Sequence, residues 1–216
     1  MNGSHLGRLL DAALERLAAS AEELRDLDAA LGDGDLGITI AGGTAAARTA
    51  IAGLPSDATP HDVLLAIAPA VARANPSTFG TLTAFALMAG ARSIPDAADL
   101  TREDVVRVGR AAIEAIATRG KSAVGDKTVL DALVPSVDAI DGCEAESAAA
   151  SGGATLAALD LAIEAARRGV DETKGLTSRR GRAAWIGDRG QGTPDAGATA
   201  YLRFLEGLRA AIAAGD

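Results

Sequence analysis

The sequence predicts an all-α fold, on the basis of its composition and of the spacing of its apolar residues. Hydrophobic residues make up 48% of the 216-residue chain, whereas aromatic residues make up 2%. Alanine-rich, aromatic-poor sequences favour closely packed helices, because sheets are enriched in β-branched and aromatic residues. The length suits one domain with a substantial core, and we expect a single domain over residues 1–216.

In the first half of the chain, four helices are predicted. Apolar residues at steps of three and four predict a helix from Ser4 to about Leu27, and a second from about Leu36 to Ala52. A third is predicted from near His61 to near Ala74, after a linker that contains two prolines. The small apolar run from Leu82 to Ala91 predicts the fourth helix.

Four more helices are predicted in the second half. Thr101 begins a capping-box pattern that opens a helix to about Thr118. Helices are then predicted from Val129 to about Ile140 and from about Thr155 to Arg168, with a surface connection at 141–153 between them. Asp195 is a plausible N-cap for the last helix, which ends near Ala213.

Charge and cysteine content narrow the class of protein. The net charge is −8, so no basic surface is expected for nucleic acid or for an anionic membrane. The single cysteine, Cys143, cannot form an intrachain disulfide, and it has no neighbouring histidine that would make it a nucleophile. Neither a signal peptide nor an apolar run of bilayer length is visible. We therefore expect a soluble cytoplasmic protein.

The loop between the first two predicted helices carries a dense acidic group. Asp28, Asp33 and Asp35 lie close together in sequence, without an adjacent lysine or arginine to neutralise them. The intervening glycines permit positive φ angles and would let the loop fold around one centre. Hard oxygen ligands at this density suit Mg²⁺ or Ca²⁺, and Mg²⁺ commonly shares its remaining positions with nucleotide phosphates. The alternative is a solvated Asp-Gly turn.

Three further segments offer donors to a phosphate or a nucleotide. The predicted helix that starts at Leu36 would present backbone N–H groups next to the acidic loop. Ser77 and Thr78 precede another helix, where N-capping explains them equally well. The loop 119–128 contains Gly120, but the glycine spacing of a P-loop and a preceding strand are both missing, so an ordinary capped loop is the alternative.

A cluster of arginines stands out in an otherwise acidic chain. It consists of Arg179, Arg180, Arg182 and Arg189. The planar guanidinium suits phosphate, although pairing with the excess carboxylates would explain the same residues.

Together, these segments resemble the nucleotide-binding L subunit, or L domain, of dihydroxyacetone kinases. The matching blocks follow the family order at residues 27–35, 125–128 with Asp131, 180–183, 187–189 and 195–197. The resemblance implies an antiparallel barrel of about eight helices, with the nucleotide and metal site in loops at one end.

The resemblance also implies a set of site residues. Asp28, Asp33 and Asp35 would hold two Mg²⁺ ions, and Arg182 would be a catalytic, movable positive charge. The positions implied to contact ADP or ATP are Leu36, Gly37, Ile38, Thr39, Ser77, Thr78, Gly120, Val129, Arg182, Asp195, Ala196 and Gly197.

The family implies partners as well. A short ketose such as dihydroxyacetone would be held by a separate K subunit, without which this chain should not phosphorylate the sugar. The nucleotide would be either ADP rephosphorylated in place by a phosphocarrier of the phosphoenolpyruvate phosphotransferase system, or freely exchanging ATP. Two alternatives remain open: a non-catalytic nucleotide-binding regulator or scaffold, and a plain metal-binding helical module.

Three departures from the family pattern concern the walls of the site. Leu36 stands where the family has histidine, Val129 stands where it has methionine, and Pro76 and Phe79 lie in the glycine-rich Ser/Thr loop. We expect these changes to reshape the surroundings of the nucleotide and to leave the metal ligands in place.

Overall fold

A computed structural model describes residues 1–143, 152–180 and 190–215. Within those ranges the chain forms nine α-helices and no β-strand. The helices are α1 (Gly3–Ala19), α2 (Ala21–Leu31), α3 (Leu36–Ala52), α4 (Pro60–Ala74), α5 (Thr78–Ser93), α6 (Arg102–Gly120), α7 (Leu130–Asp141), α8 (Gly152–Thr173) and α9 (Ala196–Ala214). Most of the predicted surface connection at 141–153 lies outside the described residues, as do Arg182 and Arg189.

Eight of these helices close into a ring. Helix α1 packs on α3, each helix from α3 to α8 packs on the next, and α9 returns to α1. Consecutive helices that are in contact and joined by short connections run antiparallel. The predicted antiparallel helical barrel is confirmed, and α2 adds a ninth helix that packs across α3 and α9.

The prediction of one continuous first helix is wrong. The helix breaks at Ser20, whose backbone φ and ψ are −89° and 3° and whose N–H bonds to the carbonyl of Leu17 at 3.0 Å. The apolar period continues across this one-residue break, so the pattern could not reveal it. Because α2 then runs on to Leu31, Asp28 lies in its last turn rather than after the helix.

Most other helix ends agree with capping chemistry. Helix α3 has the predicted bounds, and the capping box at Thr101 is present, with the Asp104 carboxylate accepting from the Thr101 N–H at 2.9 Å. Helix α5 begins at Thr78, before the predicted apolar run, because Ser77 caps it. Helix α8 extends beyond its predicted ends on both sides. The Ser77 cap therefore explains the early start of α5.

The alternation of directions gives the barrel two different ends. We call the end that holds the C-terminus of α2 and the N-termini of α3, α5, α7 and α9 the site end. At the opposite end, the amino group of Met1 donates to the carbonyl of Leu100 at 3.1 Å and pairs with Asp99 at 3.2 Å. The two capping boxes, which start α4 and α6, also lie there.

The core supports the site end directly. One buried cluster joins α1, α2, α3 and α9 through Leu17, Leu24, Leu36, Ile40, Ala196 and Ala200. Deeper in the barrel, the Ser136 and Tyr201 hydroxyls hydrogen-bond at 2.8 Å between α7 and α9. In the described part of the chain, no helix is both long enough and apolar enough to cross a membrane.

The packing of α8 on α7 yields a test. A Cβ at Gly169 would lie 1.9 Å from the Asp131 carbonyl oxygen, so Gly169→Ala forces two helix backbones apart. We expect a loss of about 1–3 kcal/mol of unfolding free energy, measured by urea unfolding followed by circular dichroism. Gly42→Ala is the matched control, because the nearest atom to that Cβ would be 3.8 Å away. Helix propensity should make the control neutral or about 1 kcal/mol more stable, and equal effects would contradict the packing argument.

Candidate functional site

The three predicted metal ligands come together at the site end. Asp28 lies in the last turn of α2, Asp33 lies in the loop, and Asp35 is the residue before α3. One carboxylate oxygen from each of them lies within 4.8 Å of the others. Gly34 has a φ of 74°, a conformation that glycine adopts without strain and that lets this short loop turn back on itself. The carboxylates form one acidic group, which we call the acidic cluster.

One carboxyl of the acidic cluster, that of Asp35, has a raised pKa. Burial raises the pKa of the Asp35 carboxyl, and the neighbouring charge of Asp28 raises it further. The Leu36 N–H donates to the Asp28 carboxylate at 3.1 Å, which places this charge at the positive end of α3. Converging carboxylate oxygens are the donor set that a hard divalent cation needs. Metal binding by these residues stays a prediction.

The predicted contact residues in the first turn of α3 differ in their exposure to solvent. The Leu36 side chain is buried in the core, while Ile38 is 67% exposed at the surface. A Cβ at Gly37 would lie 2.5 Å from the carbonyl oxygen of Ala21, so this glycine allows α2 to pack against α3. The N–H of Thr39 bonds to the carbonyl of Asp35 at 3.0 Å. Leu36 and Thr39 thus already use their N–H groups within the protein.

The start of α5 lies against α3 and α9. Ser77 caps the helix, since its hydroxyl accepts from the Gly80 N–H at 3.0 Å, and Thr78 is exposed beside it. The Asn75 side-chain amide donates to the Thr39 hydroxyl at 3.0 Å. The ring of Phe79 lies 3.4 Å from where a Cβ on Gly197 would be. Phe79 therefore packs on the start of α9.

Asp131 organises the loop before α7. Its carboxylate accepts from the backbone N–H groups of Gly125 at 2.6 Å and Thr128 at 2.7 Å. Gly120 ends α6 on the other side of this loop. Val129 is the N-cap of α7, and its side chain packs against the core formed by α5, α6 and α7. Asp131 is therefore a structural acid in the family block at 125–131.

Two residues of this loop have contacts that the sequence did not reveal. The Asp126 carboxylate accepts from the Arg180 Nε at 2.9 Å and from the Ala123 N–H at 3.1 Å. The Lys127 side chain is 2% exposed, and its Nζ bonds to three backbone carbonyls of the α8–α9 segment. The partners of Lys127 are 49, 63 and 66 residues away along the chain, so no local signal could have found them.

Two of the four arginines of the predicted cluster, Arg179 and Arg180, lie within the described residues. Arg179 and Arg180 pair with Asp126 at 3.7 and 2.9 Å, as the alternative of carboxylate pairing anticipated. Arg182, the predicted catalytic residue, lies outside the described residues, and so does Arg189.

Asp195 caps α9, and the pKa of its carboxyl is raised. Its carboxylate accepts from the Ala198 N–H at 2.7 Å, and its own N–H donates to the Thr173 hydroxyl at 2.9 Å. Burial of the carboxyl, with a smaller effect of the Asp131 charge, raises the pKa of Asp195 to about 7. Ala196 is buried and Gly197 is half-buried beside it. The N-cap predicted from sequence is present.

Contacts between neighbouring segments gather the described candidate positions at one end. Thr39 is bonded to Asn75, and Phe79 lies against Gly197. The segment before α9 returns to α2, because a Cβ on Gly190 would lie 2.8 Å from the Leu31 side chain. The acidic cluster and the starts of α3, α5, α7 and α9 therefore surround one region.

A comparison with protein families identifies the family of this chain. The family described as the DAK2 domain matches residues 30–210, which include most of the acidic cluster and the starts of the helices around it. The chain belongs to the DAK2 domain family. The predicted resemblance to the L subunit, or L domain, of dihydroxyacetone kinases is confirmed.

Relatives of this DAK2 domain are kinases of two sizes. The chain is 40% identical to the D-erythrulose kinase of Mycolicibacterium smegmatis over 199 residues, which cover 90% of this chain and 33% of that kinase. It is 30% identical to the ADP-binding subunit DhaL of the PEP-dependent dihydroxyacetone kinase 1 of Listeria innocua over 185 residues, which cover 85% of this chain and 84% of that subunit. The chain thus spans a third of the larger kinase and most of the subunit.

Solved structures of similar fold agree with this family. The native dihydroxyacetone kinase of C. freundii matches with a TM-score of 0.74 and 20% identity, over 97% of this chain and 35% of that chain. The structure of the same kinase in complex with AMP-PNP and Mg²⁺ matches with a TM-score of 0.72, over 94% of this chain and 33% of that chain. These matches support the helical-barrel fold of the DAK2 domain.

The acidic cluster predicts a metal-dependent stability. Because Mg²⁺ would bind the folded cluster more tightly than the unfolded chain, about 10 mM MgCl₂ should raise the unfolding free energy by on the order of 1 kcal/mol relative to EDTA. Asp33→Asn should remove most of this increment in urea unfolding. Asp26→Asn is the matched control, since Asp26 is 67% exposed and pairs with Arg25 instead. A full Mg²⁺ response in Asp33→Asn would contradict the assignment.

Asp195 predicts a pH-dependent stability. Its pKa in the fold, about 7, lies above the unfolded value, so its stabilising contribution is complete below the unfolded pKa and is lost as the pH rises through about 7. Asp195→Asn keeps an N-cap acceptor and cannot ionise. Between about pH 4 and pH 8, the wild-type chain should lose up to about 4 kcal/mol relative to this variant. Urea unfolding without nucleotide or metal measures this difference, and a constant difference would refute it.

Proposed function

We propose that this chain is the nucleotide- and Mg²⁺-binding L-type component of a short-ketose kinase, with residues 1–216 acting as one domain. One observation carries the proposal. Carboxylate oxygens of Asp28, Asp33 and Asp35 lie within 4.8 Å of one another, at the end of the barrel where four helices begin. The DAK2 family membership supports it. The names of the relatives, which include an ADP-binding subunit and erythrulose kinases, support the kinase reading of this site.

We propose that the acidic cluster holds two Mg²⁺ ions next to a nucleotide. Asp28, Asp33 and Asp35 would hold the metal, because all three are hard oxygen donors and their oxygens converge. When bound, Mg²⁺ would neutralise phosphate charge, and the nucleotide would supply the phosphoryl group. A third of the C. freundii kinase chain, whose structure contains AMP-PNP and Mg²⁺, has a similar fold, which supports this combination of ligands.

The chain's own groups would orient and enclose the nucleotide. The positive ends of α3, α5 and α9 favour negative charge at the site end. We propose that the nucleotide is contacted at Gly37, Ile38 and Thr39 on α3, at Ser77 and Thr78 on α5, and by Gly120, Val129 and residues 195–197. Leu36 would act indirectly, because its side chain is in the core and its N–H holds the Asp28 carboxylate beside the start of α3. Arg182 is proposed as the catalytic positive charge on the grounds of the family motif.

The acceptor would be a short ketose held by a K-type unit. Relatives named for D-erythrulose, L-erythrulose and dihydroxyacetone support this class of acceptor. The Listeria relative is a separate subunit of a kinase, which supports a K-type partner that binds the sugar. Its dependence on PEP supports a phosphocarrier as one possible donor, and exchangeable ATP is the other. Activity should therefore require both components.

The nucleotide bound to the purified chain tests this proposal. The protein is denatured with and without prior EDTA treatment, and released nucleotides are identified by mass spectrometry. Retained ADP that EDTA removes would support a metal-held cofactor, recharged in place. An empty chain that binds ATP with Mg²⁺ in calorimetry would support an exchanging kinase component. In either case Asp33→Asn should weaken binding by about tenfold or more, since a charged ligand is lost, whereas Asp26→Asn should not.

Reconstitution separates the kinase from a regulator of the same fold. The chain is mixed with its K-type partner, Mg²⁺, ATP, and either dihydroxyacetone or erythrulose, and the sugar phosphate is measured. Nucleotide binding without phosphoryl transfer, under either donor system, would favour the non-catalytic regulator. The absence of binding to ADP and to ATP would reject both nucleotide-dependent functions and leave the metal-binding module.

A further inference from the structure

The buried ammonium of Lys127 lies between the loop that precedes α7 and the segment that precedes α9. Its Nζ donates to the carbonyl oxygens of Leu176, Gly190 and Thr193 at 3.2, 2.8 and 2.8 Å. An ammonium has three N–H donors, and these carbonyls account for all of them. The side chain is 2% exposed, so Lys127 is fastened to the backbone and does not point into solvent.

The neighbouring residue strengthens the same junction. The backbone carbonyl of Asp126 accepts from the Arg179 N–H at 3.1 Å, and the Asp126 carboxylate accepts from the Arg180 Nε at 2.9 Å. The dipeptide Asp126–Lys127 is therefore joined both to residues 176–180 and to residues 190–193. We call this set of contacts the loop clamp.

The backbone at Lys127 shows that its position is imposed by these contacts. Lys127 has a φ of 60°, in the left-handed region that residues with a side chain adopt only at a cost. Such a conformation persists where surrounding contacts determine it. The three carbonyl bonds supply that determination. The ammonium also lies near the Asp195 carboxylate, whose negative charge it partly balances.

The loop clamp is adjacent to two of the proposed nucleotide-contacting segments. Val129, at the start of α7, lies two residues after Lys127, and Asp195 lies two residues after Thr193. We propose that Lys127 is a positioning residue for the nucleotide, which holds the start of α7 and the start of α9 at a fixed separation so that both face one ligand. This inference rests on the proposed nucleotide-binding function.

This role differs from that of a phosphate-binding lysine. A lysine that contacts phosphate keeps N–H donors free for the ligand, whereas Lys127 donates all three of its N–H groups to backbone carbonyls. The acidic cluster lies at the junction of α2 and α3 and has no contact with Lys127 among those described. Loss of the ammonium should therefore weaken nucleotide binding and leave the response to Mg²⁺ alone in place.

Lys127→Met tests the inference, because methionine keeps an apolar stem and removes the donors. At a temperature where all variants are folded, calorimetry with ADP and MgCl₂ should show about tenfold or more loss of affinity, as three carbonyls lose their partner. The stabilisation by MgCl₂ alone should be retained. Hydrogen exchange should accelerate about tenfold or more at the Gly192 N–H, which bonds to the Lys174 carbonyl at 2.8 Å, and at the Asp195 N–H.

Lys174→Met is the matched control. Lys174 lies in the same segment, but its ammonium is exposed and pairs with Asp171 at 2.7 Å, so this variant should match the wild-type chain in affinity and exchange. If Lys127→Met does not fold, Lys127→Gln retains two amide donors and should show the same changes at smaller size.

Two results would overturn the inference, and they differ from a failure of the proposed function. An ADP affinity of Lys127→Met within about twofold of wild type would show that the clamp does not position the nucleotide. Unchanged exchange at both amides would show that Lys127 does not fasten the segment. If the wild-type chain itself bound neither ADP nor ATP, the proposed function would fail first, and the inference would fall with it.

Discussion

Closure of the helix ring depends on backbones that approach closely at small residues. A Cβ on Gly207 of α9 would lie 2.9 Å from the carbonyl oxygen of Ala13 on α1, which is the contact between the last and first helices of the ring. Gly3 and Gly169 lie closer still, because a Cβ on them would be 2.1 and 1.9 Å from the carbonyl oxygens of Ala58 and Asp131. Larger side chains would separate these helices, because packed interiors leave little spare volume. The scarcity of aromatic residues thus follows from the architecture, in which the backbones lie close together.

The closed ring also determines where charge can be used. It brings the beginnings of α3, α5, α7 and α9 to one end, where their N–H groups and dipoles favour anions. Acidic residues at this end divide into two kinds. Asp131 and Asp126 are buried and accept from backbone N–H groups, so they shape loops. The acidic cluster instead brings carboxylates towards one another, which is the arrangement that a cation would stabilise.

The sequence predicted those parts of the structure that depend on local chemistry. The bounds of α3, the cap at Asp195 and the grouping of Asp28 with Asp33 all follow from residues within a few positions of one another. The break at Ser20 was missed because the apolar period continues through it. The contacts of Lys127 join residues 49 to 66 positions apart, so only the packed fold reveals that this lysine is buried.

The departures from the family pattern acquire a physical meaning from the same comparison. The side chains of Leu36 and Val129 pack into core clusters, and Phe79 packs on Gly197 at the start of α9. These three side chains therefore belong to the apolar support behind the site, while the acidic cluster keeps its three carboxylates. In such a site, affinity depends on how accurately the supporting layer holds backbone groups in place. Leu36 and Phe79 hold these backbone groups in place through apolar contacts. Lys127 holds two of the surrounding segments in place through polar contacts.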